Sequence, residues 1–275
     1  MRRATVDRDT FSSSSAPDWV EGAASAYAAT TSRNTTGQLT WDASRRLFAF
    51  LRASDAWRPT RGRARALELG SGAGWLACAL GRHRKEMGVE EVVASETPQG
   101  GALEWLRART AANAAYAGGV EGFLTCEALD WEAFARDVEA SGGRGTAAFD
   151  GFDVVFGADL VYDEAGTKAL PRVVAALLAR NPEAKFWYAH TKHRYDGMDC
   201  DFFDELAARG LACREVREDG CPSPPPSPPP FASLFPDQRI AVYEISLPRA
   251  AATRGEANVS VADPSTVFQR ENAPS

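Results

Sequence analysis

An apolar run, Ala66-Leu67-Glu68-Leu69, passes directly into Gly70-Ser71-Gly72-Ala73-Gly74 and then into a helix-forming stretch from Trp75. Glycines at 70, 72 and 74 let the backbone turn tightly and approach a ligand closely. The helix start beyond them offers free N–H groups and the positive end of a dipole. The spacing is GxGxG rather than GxGxxG, and no GK[ST] follows. That disfavours both a dinucleotide fingerprint and a phosphate P-loop. Two readings stand: a cradle for a nucleotide-type ligand, or a tight strand–helix turn without one.

Three further groups fall at the ends of β-like runs. Glu96 closes the next run, about 20 positions beyond the glycines, where an acid accepts hydrogen bonds from ribose hydroxyls; an ordinary loop glutamate is the plain alternative. Leu129-Asp130-Trp131 follows the third run. Asp130 there suits a base amino group and Trp131 a base face, while an N-cap role for Asp130 is compatible with the first. Asp159 and Tyr162, in Gly157-Ala158-Asp159-Leu160-Val161-Tyr162, follow the most apolar run. A carboxylate and a phenol at that rim suit an amine nucleophile, which needs orienting acceptors and loss of a proton. The alternative is a capping aspartate and a packing tyrosine. His190 and His193, with Asp196 or Cys200, form too loose a set for a metal centre, and no metal is expected. His190 as a base at the sheet edge is a further reading. Trp187 and Tyr188 alternate on a strand and read as core.

The elements that must position these residues alternate. Strands are expected at 64–69, 91–95, 123–126, 152–158 and 185–190, with helices at 74–84, 101–117, 132–138, 164–178 and 200–209. This alternation predicts an α/β fold: a mostly parallel sheet with helices on both faces. Two late strands, 211–216 and 239–247, have no helix between them and are expected to pair antiparallel. Their connection carries Pro222 to Pro230, PSPPPSPPP, a polyproline-type loop. It reads first as a stiff connector and second as a dock for an SH3-like or WW-like partner. Residues 1–35 and 249–275 are expected to be mobile tails, with a short helix near Trp19 to Ala28, leaving one domain over 36–248.

The 275 residues are 44% hydrophobic and 25% charged, which excludes fibrous and wholly disordered classes. The formal charge of −6 disfavours a broad nucleic-acid binder. Apolar runs stop far short of the roughly 20 residues that span a bilayer. Five unclustered cysteines without CxxC read as reduced thiols in a cytoplasmic or nuclear protein. No nucleic-acid or membrane partner is expected, and the chain is expected to be a monomer.

Taken together, Thr36-Gly37-Gln38-Leu39-Thr40-Trp41 before the first helix, LELGSGAG at 67–74, LDW at 129–131 and GADLVY at 157–162 resemble the seven-β-strand methyltransferases. The nearest resemblance is to their methyltransferase-like protein-lysine branch. It covers about Thr36 to Leu247. It implies a Rossmann-like, doubly wound, seven-stranded sheet, S-adenosylmethionine as cofactor, and a lysine side chain of a protein as acceptor. Residue by residue, it implies that Glu68, Gly70, Gly72 and Gly74 line the methionine end of the cofactor, with Trp41 closing that end. It places Glu96 on the ribose and Asp130 with Trp131 on the adenine. Ala158 and Asp159 then floor the sulfonium, and Tyr162 stands at the substrate channel. Glu96 stands where the branch more often has Asp, and the proline run resembles an insertion. Methylation of a small amine or another side chain, or a silent relative that only binds partners, are the alternatives.

Overall fold

The computed structural model describes residues 17–21, 39–58, 63–142, 149–192, 196–216 and 240–248. Seven strands form one sheet: β1 (Ala64–Leu69), β2 (Val89–Glu96), β3 (Leu124–Ala128), β4 (Val154–Ala158), β5 (Lys185–Thr191), β6 (Ala212–Val216) and β7 (Ile240–Ser246). Their order is β3-β2-β1-β4-β5-β7-β6. The first five run parallel, and β7 inserts antiparallel between β5 and β6. The expected seven strands and the antiparallel C-terminal pair are therefore present.

Side-chain alternation shows why this sheet is covered on both faces. Ala64 and Ala66 of β1, Val154 and Phe156 of β4, and Trp187 and Ala189 of β5 point into one apolar layer. Leu67 and Leu69, Val155, and Phe186 and Tyr188 point into the other. The first layer is closed by α1 (Asp42–Ala53), α2 (Trp75–Arg82) and α4 (Ala102–Ala112). The second is closed by α5 (Trp131–Ala140), α6 (Glu164–Arg180) and α7 (Asp196–Ala208). A short α3 (Arg84–Met87) follows α2, because the chain leaves helical geometry at His83. The single helix expected over 74–84 is thus two. None of the helices among the described residues is long and apolar enough to cross a membrane.

The chain begins the sheet at its centre, builds outward to β3, then returns to the other side of β1 with β4. This reversal places the C-terminal ends of β1 and β4 side by side, with Leu69 opposite Gly157. Open α/β sheets bind ligands in the crevice such a reversal creates.

Most of the helix expected near Trp19 to Ala28 lies outside the described residues, and residues 17–21 are the described part of the N-terminal segment. They are irregular in conformation and packed on the domain: the Trp19 ring meets Tyr116 edge-on at 5.5 Å, and Val20 N–H donates to Asn113 Oδ1 at 2.8 Å. The Val20–Asn113 hydrogen bond and a tryptophan-sized contact outweigh the polar composition around them. The rest of the tails, Thr36-Gly37-Gln38 and the proline run lie outside the described residues.

Candidate functional site

The glycine loop leaves β1 with Gly70, Gly72 and Gly74 all at positive φ, 56°, 54° and 76°. Side chains rarely adopt this region, so the loop needs glycine at each place. Gly74 has a second reason. A Cβ there would lie 2.7 Å from Thr110 Cγ2 and 2.8 Å from Leu106 Cδ1, both on α4. Its missing side chain lets α2 begin against α4.

Two carboxylates meet this loop. Glu68, 4% exposed, lies beneath it, and Ala77 N–H of α2 donates to its Oε2 at 3.2 Å. Burial pushes its carboxyl from the usual range up to about 8, with Glu96 adding to the rise. Glu96, at the end of β2, accepts Gly72 N–H on Oε2 at 2.9 Å and Thr97 N–H on Oε1 at 2.9 Å. Burial raises its pKa too, against those two donors. Desolvated acids clustered at a loop favour a cationic ligand over an anionic one.

Asp130 caps α5, as expected, and its second oxygen is held by a side chain. Its Oδ1 accepts Ala133 N–H at 2.9 Å as the N-cap of α5, and its Oδ2 accepts from Gln99 Nε2 at 2.7 Å. Trp131, first residue of α5, reaches the glycine loop: its ring lies 3.4 Å from where a Gly70 Cβ would be. Glu96, the glycine loop, Asp130 and Trp131 therefore share one end of the sheet. Trp41 stands half-buried at the N-cap of α1.

The β4 end is tightly specified. Asp159 takes φ 51°, the one positive φ outside glycine among the described residues. Its N–H donates to Ala189 O, and its carboxylate is held by Thr191, whose N–H and hydroxyl reach Oδ1 and Oδ2 at 2.8 Å each. Asp159 is not a helix cap: Asp163 fills that role for α6, accepting Gly166 N–H at 2.6 Å. Ala158 and Tyr162 are partly exposed beside it. Leu160 wedges between the two strand ends, since Cβ atoms on Gly70 and Gly157 would lie 2.7 and 2.6 Å from its methyls. Thr191 and Gln99 belong to no motif; only the fold brings them here.

His190 is 3% exposed, so it does not stand at the rim as a base. No cluster of three or more ligating side chains that could hold a metal occurs among the described residues. Trp187 and Tyr188 are wholly buried core. A groove of about 380 Å³ opens elsewhere, lined by Arg45, Phe48, Ala49, Arg52, Ala53 and Trp75. It contains none of the acids above.

The family profile described as lysine methyltransferase matches residues 27–209. No curated protein matches the sequence. Solved structures similar to it include TrmN from Thermus thermophilus, at 17% identity and TM-score 0.43 over 74% of this chain and 48% of that one. The mitomycin 7-O-methyltransferase MmcR is 13% identical with TM-score 0.48, over 78% and 57% of the two chains. The DhpI-SAM-HEP complex is 14% identical with TM-score 0.45, over 80% and 94%. The chain thus spans about half the length of the first two. The residues present fit S-adenosylmethionine: a turn with glycine at 70, 72 and 74, a carboxylate at Glu96 with lone pairs to spare, and a second acid, Glu68, beneath the loop. The chain belongs to the lysine methyltransferase family, whose cofactor is S-adenosylmethionine.

Proposed function

We propose that the protein transfers a methyl group to a lysine side chain of a protein substrate. The observation that carries this reading is the Asp159 turn, a fixed carboxylate and a neighbouring phenol at the strand ends beside the glycine loop. The family's description supports the acceptor.

When bound, S-adenosylmethionine supplies an activated methyl group. The protein's own residues bind, orient and neutralise. Glu96 accepts hydroxyl donors while still bracing Gly72. Glu68 gives up its proton to balance a cationic ligand, for which its raised pKa leaves it poised. Gly70 leaves room for Leu160 and Trp131 against the loop, and Gly72 turns its N–H toward Glu96.

A lysine has an ordinary pKa of about 10.4, so the nucleophile must first lose a proton. Asp159 and Tyr162 orient the ammonium as hydrogen-bond acceptors, and the proton leaves to water. The lone pair then lies along the line of transfer, and positioning supplies most of the rate. A buried His190 takes no proton from this site. The net charge of −6 favours approach of a cationic side chain.

The test is methyl-labelled S-adenosylmethionine added with purified protein to a cell lysate. Label on protein lysines supports the reading. Label confined to a small metabolite overturns the acceptor. Unchanged cofactor affinity in folded Gly72→Arg overturns the location of the site.

A further inference from the structure

Behind the Asp159 turn lies a run of buried polar atoms that the transfer does not use. Leu160 N–H donates to Tyr188 Oη at 3.2 Å. Tyr188 Oη lies 3.1 Å from His190 Nδ1. His190 Nε2 lies 3.2 Å from Asp199 Oδ1 on α7. Tyr188 is wholly buried, and His190 and Asp199 are 3% and 9% exposed.

A backbone N–H only donates, so Tyr188 Oη accepts from Leu160. The phenol's proton has His190 Nδ1 as its acceptor in the tautomer that leaves Nδ1 bare. In that tautomer the ring proton sits on Nε2 and faces Asp199. Among the described residues, His190 Nε2 and Asp199 Oδ1 have no aligned hydrogen-bond partner, and the two atoms lie 3.2 Å from each other. Two buried polar atoms so placed satisfy each other or remain unsatisfied, and the second alternative is costly. Burial and the nearby Asp159 raise the Tyr188 pKa well above its ordinary value, which keeps its proton available to donate.

We infer that Asp199, His190 and Tyr188 form a one-directional relay that fixes the turn after β4. They are positioning residues. The relay ends on the amide of Leu160, whose side chain wedges between Gly70 and Gly157. Thr191 holds the same turn from the other side, through Asp159. The turn is thus gripped at two successive residues, so that the carboxylate and the glycine loop keep one spacing. The consequence for transfer rests on the reading of Asp159 and Tyr162 given above; the relay itself does not.

The experiment uses the full chain with ¹⁵N-labelled histidine. There are three histidines, so His190 is assigned by its loss in His190→Asn. The expected signature is an Nε2-protonated ring; an Nδ1-protonated ring overturns the relay. In Tyr188→Phe, the Leu160 amide should lose at least tenfold of its hydrogen-exchange protection. Unchanged protection also overturns it. At saturating S-adenosylmethionine, labelled transfer per folded Tyr188→Phe should fall about five- to tenfold, with cofactor Kd within twofold. Leu206→Ala, a cavity in the same layer, should lower Tm without this loss. Wild-type-like transfer by Tyr188→Phe would remove the positioning role. Absence of transfer by the wild type would remove the proposed function instead, while tautomer and exchange still decide the relay.

Discussion

Thr191 grips the Asp159 carboxylate at both ends, donating its N–H to Oδ1 and its hydroxyl to Oδ2, each at 2.8 Å. The carboxylate is therefore aimed by the end of β5 rather than free to swing. Thr191→Val removes only the hydroxyl bond. A hydrogen bond to a charged group contributes about 1.5–3 kcal/mol, which for a domain of this size is roughly 3–12 °C in Tm. Transfer should fall with it. Asp159→Asn is the informative partner, because Asn tolerates positive φ and preserves the shape. It should melt in the range of Thr191→Val yet transfer at least tenfold more slowly. Wild-type turnover in folded Asp159→Asn would remove the charge from the mechanism.

Much of this arrangement is legible in the sequence because it depends on local chemistry. Positive φ demands glycine at 70, 72 and 74, and alternation of apolar residues separates the two faces of β1, β4 and β5. Asp130 sits directly before its helix, so its cap is a local event too. Thr191 and the Tyr188–His190–Asp199 run are different. Their roles depend on which strand lies beside β4 and on the register that places Ala189 opposite Ala158. No local pattern encodes that. The docking of Trp19 and Val20 is illegible for the same reason, since their partners Tyr116 and Asn113 are almost a hundred positions away.

Glu96 should contribute affinity rather than rate. It braces Gly72, and the proposed cofactor site gives it ribose hydroxyls as further donors. Loss of one charge-assisted bond of about 1.5–3 kcal/mol weakens binding roughly tenfold to a hundredfold. Calorimetric titration of Glu96→Ala with S-adenosylmethionine should show that loss, and turnover at saturating cofactor should largely recover. Intact binding with abolished turnover would contradict the assignment.

Glu68 makes two quantities depend on pH. Its carboxyl is raised from 4.5 to about 8 by burial. The folded state then holds a proton that the unfolded state has released, so its contribution to stability is present below pH 4.5 and declines as pH climbs to about 8. The slope is at most about 1.4 kcal/mol per pH unit. Glu68→Gln should flatten the dependence of Tm on pH across that window. Binding has the opposite sign. A cationic ligand favours the ionised carboxylate, so affinity for S-adenosylmethionine should rise with pH until about 8, releasing up to one proton. Titration in two buffers of different ionisation enthalpy measures that proton. An equal proton release by Glu68→Gln would assign it to another group.

The segment around Trp19 should stabilise the helices that support the glycine loop. Asn113 binds both sides of the Val20 peptide, accepting its N–H at 2.8 Å and donating Nδ2 to its oxygen at 3.1 Å. Arg109 also donates to Val20 O, and Arg82 Nη1 donates to Pro17 O at 3.1 Å. Arg82 ends α2 and Arg109 lies on α4, so the segment ties together the two helices that meet at Gly74. Trp19 supplies the apolar part, packed on Tyr116 with the Arg109 guanidinium 6.0 Å from its ring centre. Trp19→Ala should cost about 2 kcal/mol, less than the 3–5 of a fully buried aromatic, or roughly 4–8 °C in Tm. A double-mutant cycle with Tyr116→Ala separates this contact from general destabilisation. The expected coupling is about 0.5–1.5 kcal/mol. Additive single effects, with an unchanged Tm in Trp19→Ala, would show that the segment rests on the domain without bracing it.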